Sequence, residues 1–449
     1  MKLWRFPMIN KIMVFIIVVY ITSSSAYAFL ENYNNYQYLI GDRAAGFGGA
    51  YCAIANDSTA LWYNPAGLAN INDNRLNISA NTYSYLTRNS RQYWQIEESP
   101  GQYQCLDLKE TDISVVPNTV AYARRVNWLG NDVIAYGLFV PIQDSIQATI
   151  AGKATGSVLN VELNASYRIN TKSYYGVAGY GVNITKNLKL GLSAGVGYFQ
   201  GKGGANISAY LDPGGTNQSE IAMIIDNELT AVTAFTGTGL QYALTPHHSI
   251  GVFYHSPIYR LHASREERTT SYQVGPIFPT NSSETTINND DFRFRIIPAY
   301  ISFGYGYISE GKWSCTVEGV VHNTNTDYPN RVINGKVGLE IYLLEDLIVR
   351  TGFFTDFSQK DTVTQSSEND EKNDYYGATL SLSFGNDLNP LQSDTLKAKN
   401  MWTTVGIVYQ LGIGDIRGFR FYTVTSGSDP VIHQYTHRIS LYIGESIVF

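Results

Sequence analysis

Few residues in this chain have the type and spacing needed for chemistry, and none falls into a catalytic pattern. No Gly-x-Ser-x-Gly elbow presents a nucleophilic serine, and no His-Glu-x-x-His pair offers zinc ligands on a helix face. His247 and His248 adjoin in a turn-forming stretch, where neighbouring side chains point apart. His433 and His437 lie four apart on a strand pattern, roughly 13 Å along the chain and too far to share a ligand atom. Cys52, Cys105 and Cys315 form an odd set, so at most one bridge can form within the chain. After export, a Cys52–Cys105 disulfide would tie the N-terminal part to an outer loop; three unpaired thiols is the simpler reading. Binding chemistry remains. Lys336 and Arg350 fall on the polar faces of alternating segments, available to a ligand carboxylate or to neighbours such as Glu340 and Asp356. Arg124 and Arg125 stand near the end of another such segment. The pattern implies no enzyme, cofactor or metal, and a net charge of −6 supplies no basic face for nucleic acid.

The segment that must position any such site is Gly41 to Ile71, GDRAAGFGGAYCAIANDSTALWYNPAGLANI. Its density of Gly and Ala lets the backbone lie against other surfaces. It closes on Asn64-Pro65-Ala66-Gly67, in which Pro fixes φ and Asn bonds its own backbone, a turn chemistry. Residues 1–28 read as an export signal. Lys2, Arg5 and Lys11 form the basic start, Ile12 to Ile21 the apolar core, and Ala26-Tyr27-Ala28 the cleavage site. The apolar core is shorter than the ~20 residues a membrane helix needs. The mature chain is thus expected to begin at Phe29, with residues 29–74 forming a compact plug.

From about Arg75 to the end, residues 75–449 alternate with period two. Leu188, Leu190, Leu192, Ala194, Val196 and Tyr198 share one face, opposed by Lys189, Gly191, Ser193, Gly195 and Gly197. Ile333, Val337, Leu339, Ile341 and Leu343 alternate with Asn334, Lys336, Gly338, Glu340 and Tyr342. Val405, Ile407, Tyr409 and Leu411 oppose Gly406, Val408, Gln410 and Gly412. One apolar and one polar or Gly face is the pattern of a membrane barrel, as are 34 Tyr, 40 Gly and only 16% charged residues. A soluble β-sandwich alternates in the same way. Long strands, connections that alternate short (Thr185–Lys189, Thr245–Ser249) and long (Gly201–Asn227, Ala263–Asp291, Ser358–Asn373), and a final strand ending in Phe449 favour the barrel. The predicted architecture is all-β: a transmembrane antiparallel barrel of about 14 strands. An even count requires Ser157 to Thr185 to hold a single strand.

The last eight residues, Tyr442 to Phe449, resemble the terminal signal read by bacterial outer-membrane barrel assembly machinery. With Gly41, Arg43, Ala44, Gly48, Ala50, Ala55, Asp57 and Asn64 to Leu68, and with two barrel hairpins (Gly239 to Pro257 and Gly338 to Phe353), the chain resembles the FadL/TodX family. These are outer-membrane transporters of long-chain fatty acids and other hydrophobic compounds. The resemblance implies a monomeric 14-stranded barrel in the outer membrane, with an N-terminal hatch inside the lumen. Hydrophobic cargo would pass a pocket beside the hatch and exit sideways into lipid. It places the family's NPA motif on Asn64, Pro65 and Ala66, followed by Gly67, as hatch or gating residues. Related barrels with a similar opening motif serve in secretion or surface attachment, so a protein-partner role is the alternative. Each buried CH₂ contributes ~0.8 kcal/mol, so a long acyl chain would gain on the order of 10 kcal/mol in an apolar pocket before binding costs. Aromatic residues for an entry surface or an interfacial girdle include Tyr198, Phe199, Tyr210, Tyr254, Tyr259, Tyr272 and Phe278.

Overall fold

Period-two alternation produces one closed sheet, antiparallel around the barrel, with Phe419–Phe421 running parallel to Trp94–Ile96. The computed structural model describes residues 34, 38–99, 101–126, 128, 132–155, 160–212, 218–276, 281–290, 297–309, 311–364, 371–385, 400–421 and 428–449. The expected export signal, 1–28, lies outside them, as does Phe278. The strands are β1 (Arg75–Ser99), β2 (Gln102–Val126), β3 (Asp132–Thr155), β4 (Asn160–Asn183), β5 (Leu188–Asp212) and β6 (Ser219–Ala243). Next come β7 (His248–His255, then Tyr259–Val274), β8 (Ser282–Asp290, then Tyr300–Ser309), β9 (Trp313–His322) and β10 (Val332–Leu344). The last are β11 (Leu347–Asp356), β12 (Glu371–Gly385), β13 (Asn400–Arg417, prolonged by Phe419–Phe421) and β14 (Val431–Val448). Each pairs with its neighbours in sequence, and β14 closes on β1 from Arg75↔Val448 to Ser90↔Gln434. Fourteen staves make the barrel. As parity required, the stretch between Ser157 and Thr185 contributes one strand.

The faces are those the alternation predicts. In β10, Ile333, Val337 and Ile341 are exposed while Asn334, Lys336, Gly338 and Glu340 are buried. Val405, Ile407, Tyr409, Ile439, Leu441 and Ile443 continue the outward apolar band. At one end the hairpins are tight, for a local reason. The Thr185 hydroxyl accepts from the Asn187 and Leu188 amides (3.2 and 3.0 Å), and the Thr245 hydroxyl accepts likewise from His247 and His248. Phe449 donates its amide to the Asn74 carbonyl at 3.1 Å and stacks on Tyr122, which seals the seam.

The opposite end differs from expectation. Much of Gly201–Asn227 and Ala263–Asp291, read above as loops, is strand. The Gly-rich run 201–206 stays in the sheet because it is paired on both sides, with β4 and with β6. Strands β1 to β6 run to 24 or 25 residues, against 10 in β9 and β11. At ~3.3 Å per residue and a ~45° tilt, 25 residues rise roughly 58 Å, about twice the ~25 Å apolar band of such barrels. One side of the wall therefore stands far above the other. Its upper interior holds a separate apolar cluster including Trp94, Leu108, Leu211, Ile221, Ile416 and Ile432.

Residues 38–71 lie inside the barrel. They form α1 (Asp42–Gly46), α2 (Ala60–Tyr63) and a 3-10 turn, Pro65–Asn70. The inner wall admits them at glycines. A Cβ at Gly191 would come within 2.1 Å of the Pro65 carbonyl carbon, and one at Gly239 within 2.0 Å of Asn64 Oδ1. Gly48, at φ +64, lies against the backbone of Phe353 where no side chain fits. Small residues on both surfaces thus let backbone pack on backbone.

Candidate functional site

Asn64 organises the lower part of the site. Its Oδ1 accepts from the Ala66 amide at 3.1 Å, capping the 3-10 turn, and Pro65 occupies the first position, where no N–H is needed. Its Nδ2 donates to the Cys52 carbonyl (2.9 Å) and to the Leu240 carbonyl on β6 (3.1 Å). Gly67 is pressed against Ala55, leaving no room for a Cβ. Asn64, Pro65, Ala66 and Gly67 therefore form a buried turn that is also tied to the wall.

Two carboxylates hold the segment on the other side. Glu340 accepts from Arg350 Nε at 2.6 Å within the wall, and from Arg43 at 2.9 and 3.2 Å across to the segment. Glu318 Oε2 accepts the Tyr51 and Cys52 amides at 2.9 Å each, and its Oε1 pairs with Lys336 at 3.3 Å. Lys336 and Arg350, the two candidate carboxylate contacts, are each about 3% exposed and bound to wall glutamates. Sequence reading named Glu340 only as a neighbour and did not single out Glu318. Asp42 Oδ2 accepts from Thr404 at 2.7 Å, while burial raises its carboxyl pKa above the ordinary value. Cys52, Cys105 and Cys315 are free thiols; Cys52 is buried beside Asn64 and Cys105 is exposed on β2. The histidines named above also separate: His247 contacts the Ile308 carbonyl, His248 the Tyr305 hydroxyl, His433 Asp415 and His437 the Tyr409 hydroxyl.

Above α2 lies an aromatic cluster. Trp62, half-buried, reaches from the segment to Phe139 (5.5 Å between ring centres), Tyr175 (5.6 Å) and Phe235 (6.1 Å) on β3, β4 and β6. Phe235 stacks on His255, which stacks on Tyr300. None of these was singled out from sequence. The available signal was Trp62 itself, a large ring in a run of Gly and Ala. The expected entry aromatics Tyr198, Tyr210, Tyr254 and Tyr259 are exposed, and Tyr272 bonds Glu220.

Beside this cluster the wall is interrupted. β2 and β3 pair from Val126↔Asp132 to Thr119↔Phe139, and again at Thr111↔Gln147 in the same register. Residues 112–118 and 140–146 between them are not paired with each other. Pro117 and Pro141 lie in the two facing segments and have no N–H to donate. On the β1 side, Ser84↔Ser114 and Tyr85↔Ile113 set the height of the slit at the outward Tyr83 and Tyr85. Higher in the lumen, Arg88 pairs with Glu110 (3.1 Å) and Glu371 (3.2 Å), a polar layer below the upper apolar cluster.

Fold and site together define a closed β-barrel that carries residues 38–71 of the same chain in its lumen. No family model and no curated protein matches this chain in sequence. Solved structures match it in fold. A Pseudomonas aeruginosa FadL homologue superposes with a TM-score of 0.60 at 13% identity, over 93% of this chain and 100% of the other. The toluene transporter TodX of P. putida gives 0.58 at 13% identity, over 94% and 99%. The fold of this chain is thus the barrel fold of the FadL homologue and of TodX.

Proposed function

We propose that the protein is an outer-membrane channel for passive uptake of hydrophobic molecules, with the segment 38–71 as its hatch. The observation that carries the reading is an aromatic cluster, floored by the hatch residue Trp62, beside an interruption in the barrel wall. The outward apolar band supports placement in an outer membrane. Cargo entering from above would rest against Trp62, Phe139, Tyr175 and Phe235 and leave sideways between β2 and β3. Such an exit avoids crossing a wet lumen.

Long-chain fatty acids fit the apolar part of this route. A carboxylate head directed at Lys336 or Arg350, however, would have to displace Glu318 or Glu340, and breaking a buried pair costs about 3–5 kcal/mol. We therefore favour uncharged hydrophobic cargo. The tall, ordered outer wall is the feature that favours the alternative, a protein-partner role in secretion or surface attachment.

The test is binding by the purified barrel in nanodiscs, read by quenching of Trp fluorescence, with a neutral aromatic hydrocarbon and a long-chain carboxylate compared. Saturable binding, stronger for the neutral compound and weakened about tenfold or more by Trp62→Ala, is the expected outcome. Absence of saturable binding by either compound would transfer support to the protein-partner role.

A further inference from the structure

The interruption between β2 and β3 is not empty on the lumen side. Tyr38, just ahead of the hatch helices, lies across it. Its amide donates to the Pro141 carbonyl of β3 at 3.2 Å. Its hydroxyl donates to the Gln143 carbonyl of β3 and shares a hydrogen bond with Ser114 Oγ of β2, both at 3.1 Å. The ring packs on Val140 and lies 5.7 Å from the Arg438 guanidinium carbon. The next residues follow the same edge: Asn118 Nδ2 donates to the Leu39 carbonyl at 2.8 Å, and the Gly41 amide to Thr119 Oγ1 at 3.2 Å. Tyr38 is 4% exposed. One side chain thus bonds to both lips of a break where seven residues on each strand lack their ladder partners.

Resting on the hydrophobic-channel reading, we propose that Tyr38 is the closing group of the lateral exit, a stopper withdrawn when the hatch shifts from its seat. The chemistry suits the task. A phenol has a flat apolar body to fill a slit lined by Val140, and one polar tip to meet the Gln143 carbonyl on one lip and the Ser114 hydroxyl on the other. Each bond is an ordinary neutral one, so the closure is reversible. It is also coupled to the hatch by covalent continuity, since only a few residues separate Tyr38 from Asp42.

The experiment places a reporter thiol in the slit through Val140→Cys, in full-length protein lacking Cys105 and Cys315, reconstituted in lipid vesicles. A membrane-partitioning N-alkyl maleimide is the probe, and the parent protein, which retains buried Cys52, gives the background. With Tyr38 present, the introduced thiol should label slowly. Tyr38→Gly should raise the rate at least about tenfold, and Tyr38→Phe, which keeps the ring but loses both hydroxyl bonds, should give a smaller rise. Heat-modifiable migration confirms the folded barrel; should Tyr38→Gly not fold, Tyr38→Phe carries the comparison. Equal labelling with and without the tyrosine, or with and without its hydroxyl where that comparison is the one in use, overturns the stopper. Vesicle uptake of a neutral hydrophobic dye is measured in parallel. If labelling follows Tyr38 but uptake does not, the stopper stands and the channel reading fails.

Discussion

Glu340 is where the hatch and the wall share one anion, and Glu340→Gln removes it without changing shape. The side chains of Glu340, Arg350 and Arg43 are 0%, 3% and 20% exposed. Losing one partner of a buried pair costs about 3–5 kcal/mol, because the other charge is left without compensation. That total divides unequally. Arg350 is on β11 and stays in the wall when the hatch moves, so the loss of its partner weighs chiefly on the barrel as a whole. Arg43 leaves with the hatch, and its charge-assisted bonds, at 2.9 and 3.2 Å, hold it in place. Hydrogen bonds to charged groups contribute about 1.5–3 kcal/mol, which corresponds to roughly a 10- to 150-fold shift in the seated population. Native-state amide exchange reads this directly. Amides such as Ala45, bonded to the Gly41 carbonyl, and Phe47, bonded to that of Ala44, should exchange faster by that factor while the ladders of β4 and β5 change less. A cycle with Arg43→Met isolates the cross-boundary share. Unchanged protection over residues 42–50, or acceleration only in step with the strands, would refute the view that this anion seats the hatch.

Two further expectations follow from the same contacts. Gly191→Val places a side chain where Pro65 now lies, so the barrel should assemble but its hatch should become sensitive to protease. Gly335→Ala, whose Cβ meets nothing within 4 Å, should leave protease sensitivity unaltered and stability within about 0.5 kcal/mol. Burial raises the Asp42 carboxyl above its ordinary 3.8, with the Thr404 hydrogen bond opposing and Asp57, Arg350 and Tyr442 as the other titratable or charged neighbours. A raised value in the seated state means that this contribution to docking is complete below about 3.8 and is lost as pH rises through the seated value. Mild acid should therefore slow hatch exchange, and Asp42→Asn should slow it at neutral pH and flatten the pH dependence.

The barrel was legible because its two faces differ in chemistry at every second residue, as Ile333 and Asn334 do, and because parity constrained the stretch between Ser157 and Thr185. The upper wall was not. Around Gly201 to Asn206 alternation fails, and strand identity there comes from the partners on either side. In the site, the Asn64 turn was visible since its contacts begin within two residues of sequence. The ties that seat it were not, because Arg43 and Glu340 are 297 positions apart and nothing in either neighbourhood points to the other. Tyr38 carried no signal at all: one tyrosine among 34, distinguished only by the break it covers.

The unequal height of the wall also gives the mouth a direction. Strands β1 to β6 stand as a collar on one flank, while β9 and β11 stop low on the other, so in the proposed outer-membrane setting the opening would face sideways along the surface. On the channel reading, molecules already concentrated at the lipid boundary would arrive over the low rim with little climb. Those approaching the tall flank would meet the outer surface of paired strands. Capture would then sample the surface layer more than the surrounding medium, and lowering the collar would alter from where the barrel collects before it altered what the barrel admits.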